Sequence, residues 1–210
     1  MRVIIVADEK QQKEILSKNT NPGIKLIFAE NHSSSSIDDY DAVFYLIETS
    51  FPQDIKRISS KPVFINSVIE TLKDLKLPDN FTRINGWPGF LDRPLWEAAT
   101  INTDAASAIF KELGWNITFV KDEPGLVSAR IISMIINEAF FALEEKIGSK
   151  EDINIAMKLG TNYPYGPFDW QEKIGIENIY LLLHKLLKTD KRYAIAPLLK
   201  NKYFETTPAL

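Results

Sequence analysis

"KLGTNYPYGPFDW", residues 158–170, gathers two glycines, two prolines and four aromatic residues into thirteen positions, between two segments of helical spacing. Proline fixes φ and lacks an N–H donor, whereas glycine reaches conformations with φ above zero. Pro164, Gly166 and Pro167 therefore predict one defined backbone path. Tyr163, Tyr165, Phe168 and Trp170 are placed to cover the ends of neighbouring helices. The reading is a rigid inter-helix corner plugged into a core.

Working outward from that corner, the chain stays helical on both sides. "SKEDINIAMKLG" (149–160) opens with Ser149 as N-cap and carries Asp152 in its first turn. Before it, Pro124 opens a long segment, "PGLVSARIISMIINEAFFALEEKIG", that stops at Gly148. Its apolar residues occupy nearly the whole circumference, so neighbouring helices or a second subunit should wrap it. After the corner come an amphipathic segment (176–188) and the closing "APLLKNKYFE". Further upstream, "TDAASAIFKELGW" reads as a helix capped by Thr103 and ended by Gly114, and "ITFVKD" (117–122) as a strand.

The first hundred residues have another rhythm. "VIIV" (3–6), "IKLIF" (24–28), "AVFYLI" (42–47), "PVFI" (62–65) and "FTRI" (81–84) are short, continuously apolar runs, as strands buried on both faces should be. Helical connectors such as "KQQKEILSK" separate them. The pattern predicts a small parallel α/β sheet over residues 1–100, followed by an all-α domain over 101–210.

Composition narrows the function. A net charge of −3 without a basic stripe argues against nucleic-acid binding. No apolar run approaches the ~20 residues that cross a bilayer, and the N-terminus reads as a strand rather than a secretory signal. The chain has no cysteine and two histidines, which excludes disulfides and thiolate metal sites and predicts no metal centre. The cytoplasm is the expected location.

The ordered motifs of the second half resemble the 3-hydroxyacyl-CoA dehydrogenase family. They are Asp122, Pro124 and Gly125 before the long segment; Asn137, Glu138 and Ala139 within it; Asp152, Ile153, Ala156, Met157 and Gly160; and Pro164, Gly166, Pro167 and Phe168 in the corner. The resemblance spans about residues 81–204. It implies a dehydrogenase-type helical domain that forms a homodimer and one wall of an acyl-CoA cleft, behind a Rossmann-like NAD domain. The implied ancestral reaction is NAD-dependent oxidation of 3-hydroxyacyl-CoA to 3-ketoacyl-CoA, in fatty-acid metabolism.

Two features depart from that pattern. A dinucleotide fold needs glycines after its first strand so that backbone amides can approach a pyrophosphate. Residues 7–13 read "ADEKQQK", with no glycine and with Asp8 and Glu9 where phosphates belong. Glu30, after the second strand, occupies the place of a ribose-binding acid. The family's catalytic histidine and the glutamate twelve residues later correspond to Asn85 and Glu97, and a family serine to Ser67. Asparagine accepts no proton near neutral pH. Ala129 stands where the family has another asparagine, and His184 reads as a structural helix residue. The first half thus reads as a shortened, degenerate Rossmann-like sheet. The expected function is that of a divergent family member with impaired or lost redox activity. The alternative is a non-catalytic acyl-CoA-binding protein, or a dimeric regulatory or assembly protein.

Overall fold

Continuous apolar runs become the strands β1 (Arg2–Val6), β2 (Lys25–Ala29), β3 (Ala42–Tyr45), β4 (Val63–Asn66) and β5 (Phe81–Ile84). Two more follow, β6 (Leu95–Thr100) and β7 (Asn116–Phe119). In the computed structural model, which describes residues 1–29, 39–47 and 61–206, all seven join one sheet in the order β2-β1-β3-β4-β5-β6-β7. Every pairing is parallel except β5 with β6. Because successive side chains alternate faces, the central strands β1, β3, β4 and β5 feed two cores. Phe44, Phe64, Trp96, Phe110 and Trp115 pack on one face, with Phe44 stacked on Phe64 at 4.4 Å. Ile4, Val6, Val43, Val63, Ile65 and Phe81 fill the other.

Helices α1 (Glu9–Leu16), α2 (Leu72–Leu75) and α3 (Thr103–Leu113) join this unit. Helix α2 is a single turn, because Thr71 caps it and Lys76 ends it in a left-handed conformation. The N-cap of α3 is Asn102 rather than Thr103, its Oδ1 accepting the Ala105 N–H at 3.1 Å. Gly114 closes that helix at φ 78°.

The chain divides into two compact units after Leu126, not near residue 100. The displaced boundary has a simple origin. Strand β6 pairs with β5 and β7 with β6, so residues 101–126 continue the sheet instead of starting the helical domain. The long helix likewise starts later than Pro124. Gly125 and Leu126 adopt φ of 81° and 48°, which breaks the helical path, and α4 runs from Ser128 to Glu144.

The second unit comprises α4, α5 (Lys150–Thr161), α6 (Pro167–Ile174), α7 (Ile176–Leu187), a 3₁₀ turn (Lys191–Tyr193) and α8 (Pro197–Thr206). Ser149 and Asp152 form a reciprocal capping box on α5. Asn137, buried inside α4, fixes the chain between the 3₁₀ turn and α8. Its amide donates to the Ala194 carbonyl and accepts the Ala196 N–H, both at 2.9 Å. The stiff corner closes just as tightly. Asp169 accepts the Gly166 N–H at 3.0 Å, and Asn154 accepts the Phe168 N–H at 2.9 Å while donating to Asp169. A Cβ at Gly166 would overlap the Asn154 carboxamide, so this glycine is there for space. Phe168 meets Phe140 edge to face at 5.3 Å, and Tyr165 meets Trp170 at 4.9 Å. The corner is architectural. No described helix is long and apolar enough to cross a membrane.

Candidate functional site

The antiparallel ladder of β5 and β6 pairs Thr82 with Thr100, Arg83 with Ala99 and Ile84 with Ala98. One step further in the same register, Asn85 faces Glu97. The twelve-residue spacing that equates them with a catalytic pair is therefore that of a direct cross-strand pair. The Asn85 Nδ2 donates to Glu97 Oε1 at 3.4 Å, and the Asn85 oxygen accepts the Trp87 N–H at 3.2 Å. Asn85 is buried and Glu97 half-buried.

Arg83 lies two residues before Asn85, on the same face of β5. It is completely buried, although no pattern in the sequence singled it out. Its guanidinium pairs with Asp122 at 3.2 Å and donates to the carbonyls of Glu70 at 2.9 Å and Glu123 at 2.7 Å. Burial lowers its pKa below the ordinary arginine value, and the carboxylates of Asp122, Asp74, Glu97 and Glu123 oppose that shift. The environment of Glu97 is thus set partly by a guanidinium. Trp96, its sequence neighbour, points to the opposite face, into the core with Phe110 and Trp115.

Asp122 also accepts the Leu72 N–H at 3.0 Å, and the Gly125 N–H reaches the Val68 carbonyl at 2.8 Å. The Asp-Glu-Pro-Gly segment therefore braces the loop that follows β4. Ser67 lies in that loop, buried, with its hydroxyl donating to the Glu70 carbonyl at 2.9 Å. Asn85 and Glu97 come together, while Ser67 is turned into its own loop. Glu30, the ribose-binding candidate, and His32 lie outside the described residues. His184 is exposed on α7, its ring against Tyr180 at 5.8 Å. Ala129 is fully buried in α4.

In a doubly wound sheet, ligands lie beyond the carboxyl ends of the strands where the strand order reverses. Here the reversal falls between β1 and β3. Two buried carboxamides bridge the strand ends at and beside it. Gln11 Nε2 donates to the Leu46 carbonyl at 2.7 Å and reaches the Gly86 carbonyl at 3.5 Å. Asn66 donates to the same Leu46 carbonyl at 2.9 Å and accepts the Gly86 N–H at 2.9 Å. A Cβ on Gly86 would come within 2.6 Å of the Asn66 side chain, so a larger residue at position 86 would displace that side chain.

The first turn of α1 is closed as well. Asp8 caps it, accepting the Gln11 N–H at 2.8 Å, and the Gln11 side chain returns the bond to the Asp8 N–H at 3.1 Å. A pyrophosphate needs open amides and a backbone without side chains at that position. This turn offers a carboxylate and an amide already paired, so its residues do not fit the group. The signal was legible: Asp8 and Gln11 have the spacing of a capping box. Further along α1, Glu14 accepts the N–H groups of Gly89 at 2.8 Å and Leu91 at 3.1 Å. Lys18 donates to the Arg93 carbonyl at 2.6 Å. The connection between β5 and β6 is thereby fastened to α1.

Comparison with known proteins agrees with this architecture. A family model described as the 3-hydroxyacyl-CoA dehydrogenase C-terminal domain matches residues 125–207. The chain is 39% identical over 111 residues to 3-hydroxyadipyl-CoA dehydrogenase of Escherichia coli (strain K12), covering 50% of this chain and 23% of that protein. It is 36% identical over 105 residues to 3-hydroxybutyryl-CoA dehydrogenase of Bradyrhizobium diazoefficiens, covering 49% and 35% respectively. The matches thus span about a quarter to a third of those relatives' length. The crystal structure of (S)-3-hydroxybutyryl-CoA dehydrogenase PaaH1 from Ralstonia eutropha superposes with a TM-score of 0.69, covering 95% of this chain and 92% of that one. At 22% identity this likeness establishes the fold. The helical motifs, their spacing and the family model all fall on the same residues, so residues 125–207 carry a match to the 3-hydroxyacyl-CoA dehydrogenase C-terminal domain.

Proposed function

We propose that this protein is a divergent family member whose NAD-dependent oxidation of 3-hydroxyacyl-CoA is impaired or lost. The observation that carries the reading is Gln11, which links the first turn of α1 to the strand ends at Leu46 and Gly86. Hydride transfer needs a nicotinamide cofactor seated over that turn and a proton acceptor beside the carbinol. Asn85 supplies no such acceptor, and losing a general base typically costs on the order of 10²–10⁴ in rate. The test is NADH absorbance with acetoacetyl-CoA in the reducing direction and with short-chain 3-hydroxyacyl-CoA in the oxidising one. Absence of turnover is expected. Turnover at a rate ordinary for dehydrogenases would overturn the proposal.

A second reading follows from the intact helical motifs. A helical homodimer keeps an acyl-CoA surface without redox chemistry and serves as a binding, regulatory or assembly protein in the cytoplasm. A ligand at a hundredfold excess over its Kd stabilises the folded state by about 2.7 kcal/mol. Acetoacetyl-CoA should then raise the melting temperature while leaving NADH untouched. An unchanged melting curve across several acyl-CoAs would leave the assembly role alone standing.

A further inference from the structure

Two lysines of the helical unit stand over one pair of packed aromatic rings. Phe140 of α4 meets Phe168 of α6 edge to face, with ring centroids 5.3 Å apart, and both rings are buried. The Lys202 Nζ of α8 lies 5.9 Å from the Phe140 centroid. The Lys150 Nζ, from the first residue of α5, lies 5.8 Å from the Phe168 centroid. One ammonium gains from such a ring face, whereas two over a single apolar patch repel each other.

Lys202 is the more enclosed of the pair, half-buried where Lys150 is exposed. Its Nζ donates to Gln171 Oε1 at 2.6 Å, and Gln171 is itself buried. An amide oxygen accepts from a neutral amine as well as from an ammonium, so this partner does not require the charge. Burial and the Lys150 ammonium lower the Lys202 pKa, and the carboxylates of Glu172 and Glu205 oppose that shift. The neutral, nucleophilic form is thereby enriched relative to an ordinary surface lysine. The chain has no cysteine, so no thiol competes for an electrophile or relays one.

We propose that Lys202 is an acylation site that takes an acyl group directly from an acyl thioester, with Lys150 favouring the anionic intermediate. The neutral Lys202 Nζ attacks the thioester carbonyl carbon, and the carbonyl oxygen becomes anionic within the field of the Lys150 ammonium. The C–S bond then breaks. An amide forms, and the departing thiolate takes the proton that the amine gives up. No oxidant and no coenzyme is consumed, so the proposal is independent of the redox reading above. Acylation removes one of two mutually repelling charges, and the product amide keeps an N–H for Gln171.

Incubation of the folded protein with acetyl-CoA, followed by proteolysis and mass spectrometry, tests it. Lys200, exposed two residues earlier on the same helix, is the internal control. Lys202 should be acetylated several-fold faster than Lys200 in the native protein, and the preference should vanish in urea. Lys150→Gln should slow acetylation of Lys202 several-fold and leave Lys200 unchanged, whereas Lys150→Arg should preserve the rate. Equal acetylation of the two lysines in folded wild type overturns the proposal, whatever the variants do. A preference that survives in urea overturns it too, since it then belongs to the local sequence. A preference that Lys150→Gln leaves intact overturns the role given to Lys150.

Discussion

The Asn85 carboxamide and the Glu97 carboxylate face each other across β5 and β6 with 3.4 Å between nitrogen and oxygen, and the Asn85 oxygen is engaged by the Trp87 backbone. Asn85 is thereby a buried bridge between β6 and the turn that follows β5. Asn85→Ala leaves the Trp87 N–H without this acceptor and should cost about 1–3 kcal/mol. Glu97→Gln keeps an acceptor oxygen and should cost less than about 1 kcal/mol. Urea denaturation of the two variants checks the ordering.

Arg83 predicts a larger loss. Arg83→Met strands the Asp122 carboxylate and removes the donor from two carbonyls. Breaking a buried pair on one side typically costs 3–5 kcal/mol; with the Asp122 side chain 30% exposed, about 2–4 kcal/mol is expected. Equilibrium unfolding measures it. A loss below about 1 kcal/mol would show that the guanidinium is not the brace between β5 and the Asp122 loop.

These two sites mark what the sequence discloses and what it withholds. That Asn85 meets Glu97 follows from their twelve-residue spacing, which coincides with a cross-strand register. Arg83 gives no such sign, since its partner lies 39 residues away and meets it only through tertiary pairing. Strand β6 has no apolar run in the sequence for a local reason: Leu95 is 51% exposed and the strand's centre holds two alanines. The domain boundary moved with it. The capping boxes of α1 and α5 and the corner at Gly166 depend on neighbours three to fifteen residues apart, and such short-range chemistry survives in a single sequence.

The corner makes its own prediction. Gly166→Ala places a methyl group against Asn154 and should destabilise the helical unit by about 1–3 kcal/mol. Asn154→Ala should cost stability alone through lost hydrogen bonds, yet the double variant should lose less than the two single losses combined. Thermal unfolding of the four proteins gives the coupling.

Stability should also carry a signature in acid. Hydrogen bonds from the Ser149 hydroxyl and backbone N–H hold the Asp152 carboxyl below the ordinary carboxylate value. A carboxyl depressed in the folded state contributes fully above its unfolded pKa of about 3.9 and loses that contribution as pH falls through its lower folded value. The stability difference between wild type and Asp152→Asn should therefore be flat above about pH 5 and shrink below about pH 4. Denaturation curves across that range test it.

Calorimetric titration of NADH into the whole protein tests the central claim most directly. With Asp8 and Gln11 closing the first turn of α1, no saturable heat should appear at millimolar coenzyme. A well-formed isotherm, abolished when Gln11 is replaced by a bulkier residue, would contradict the account.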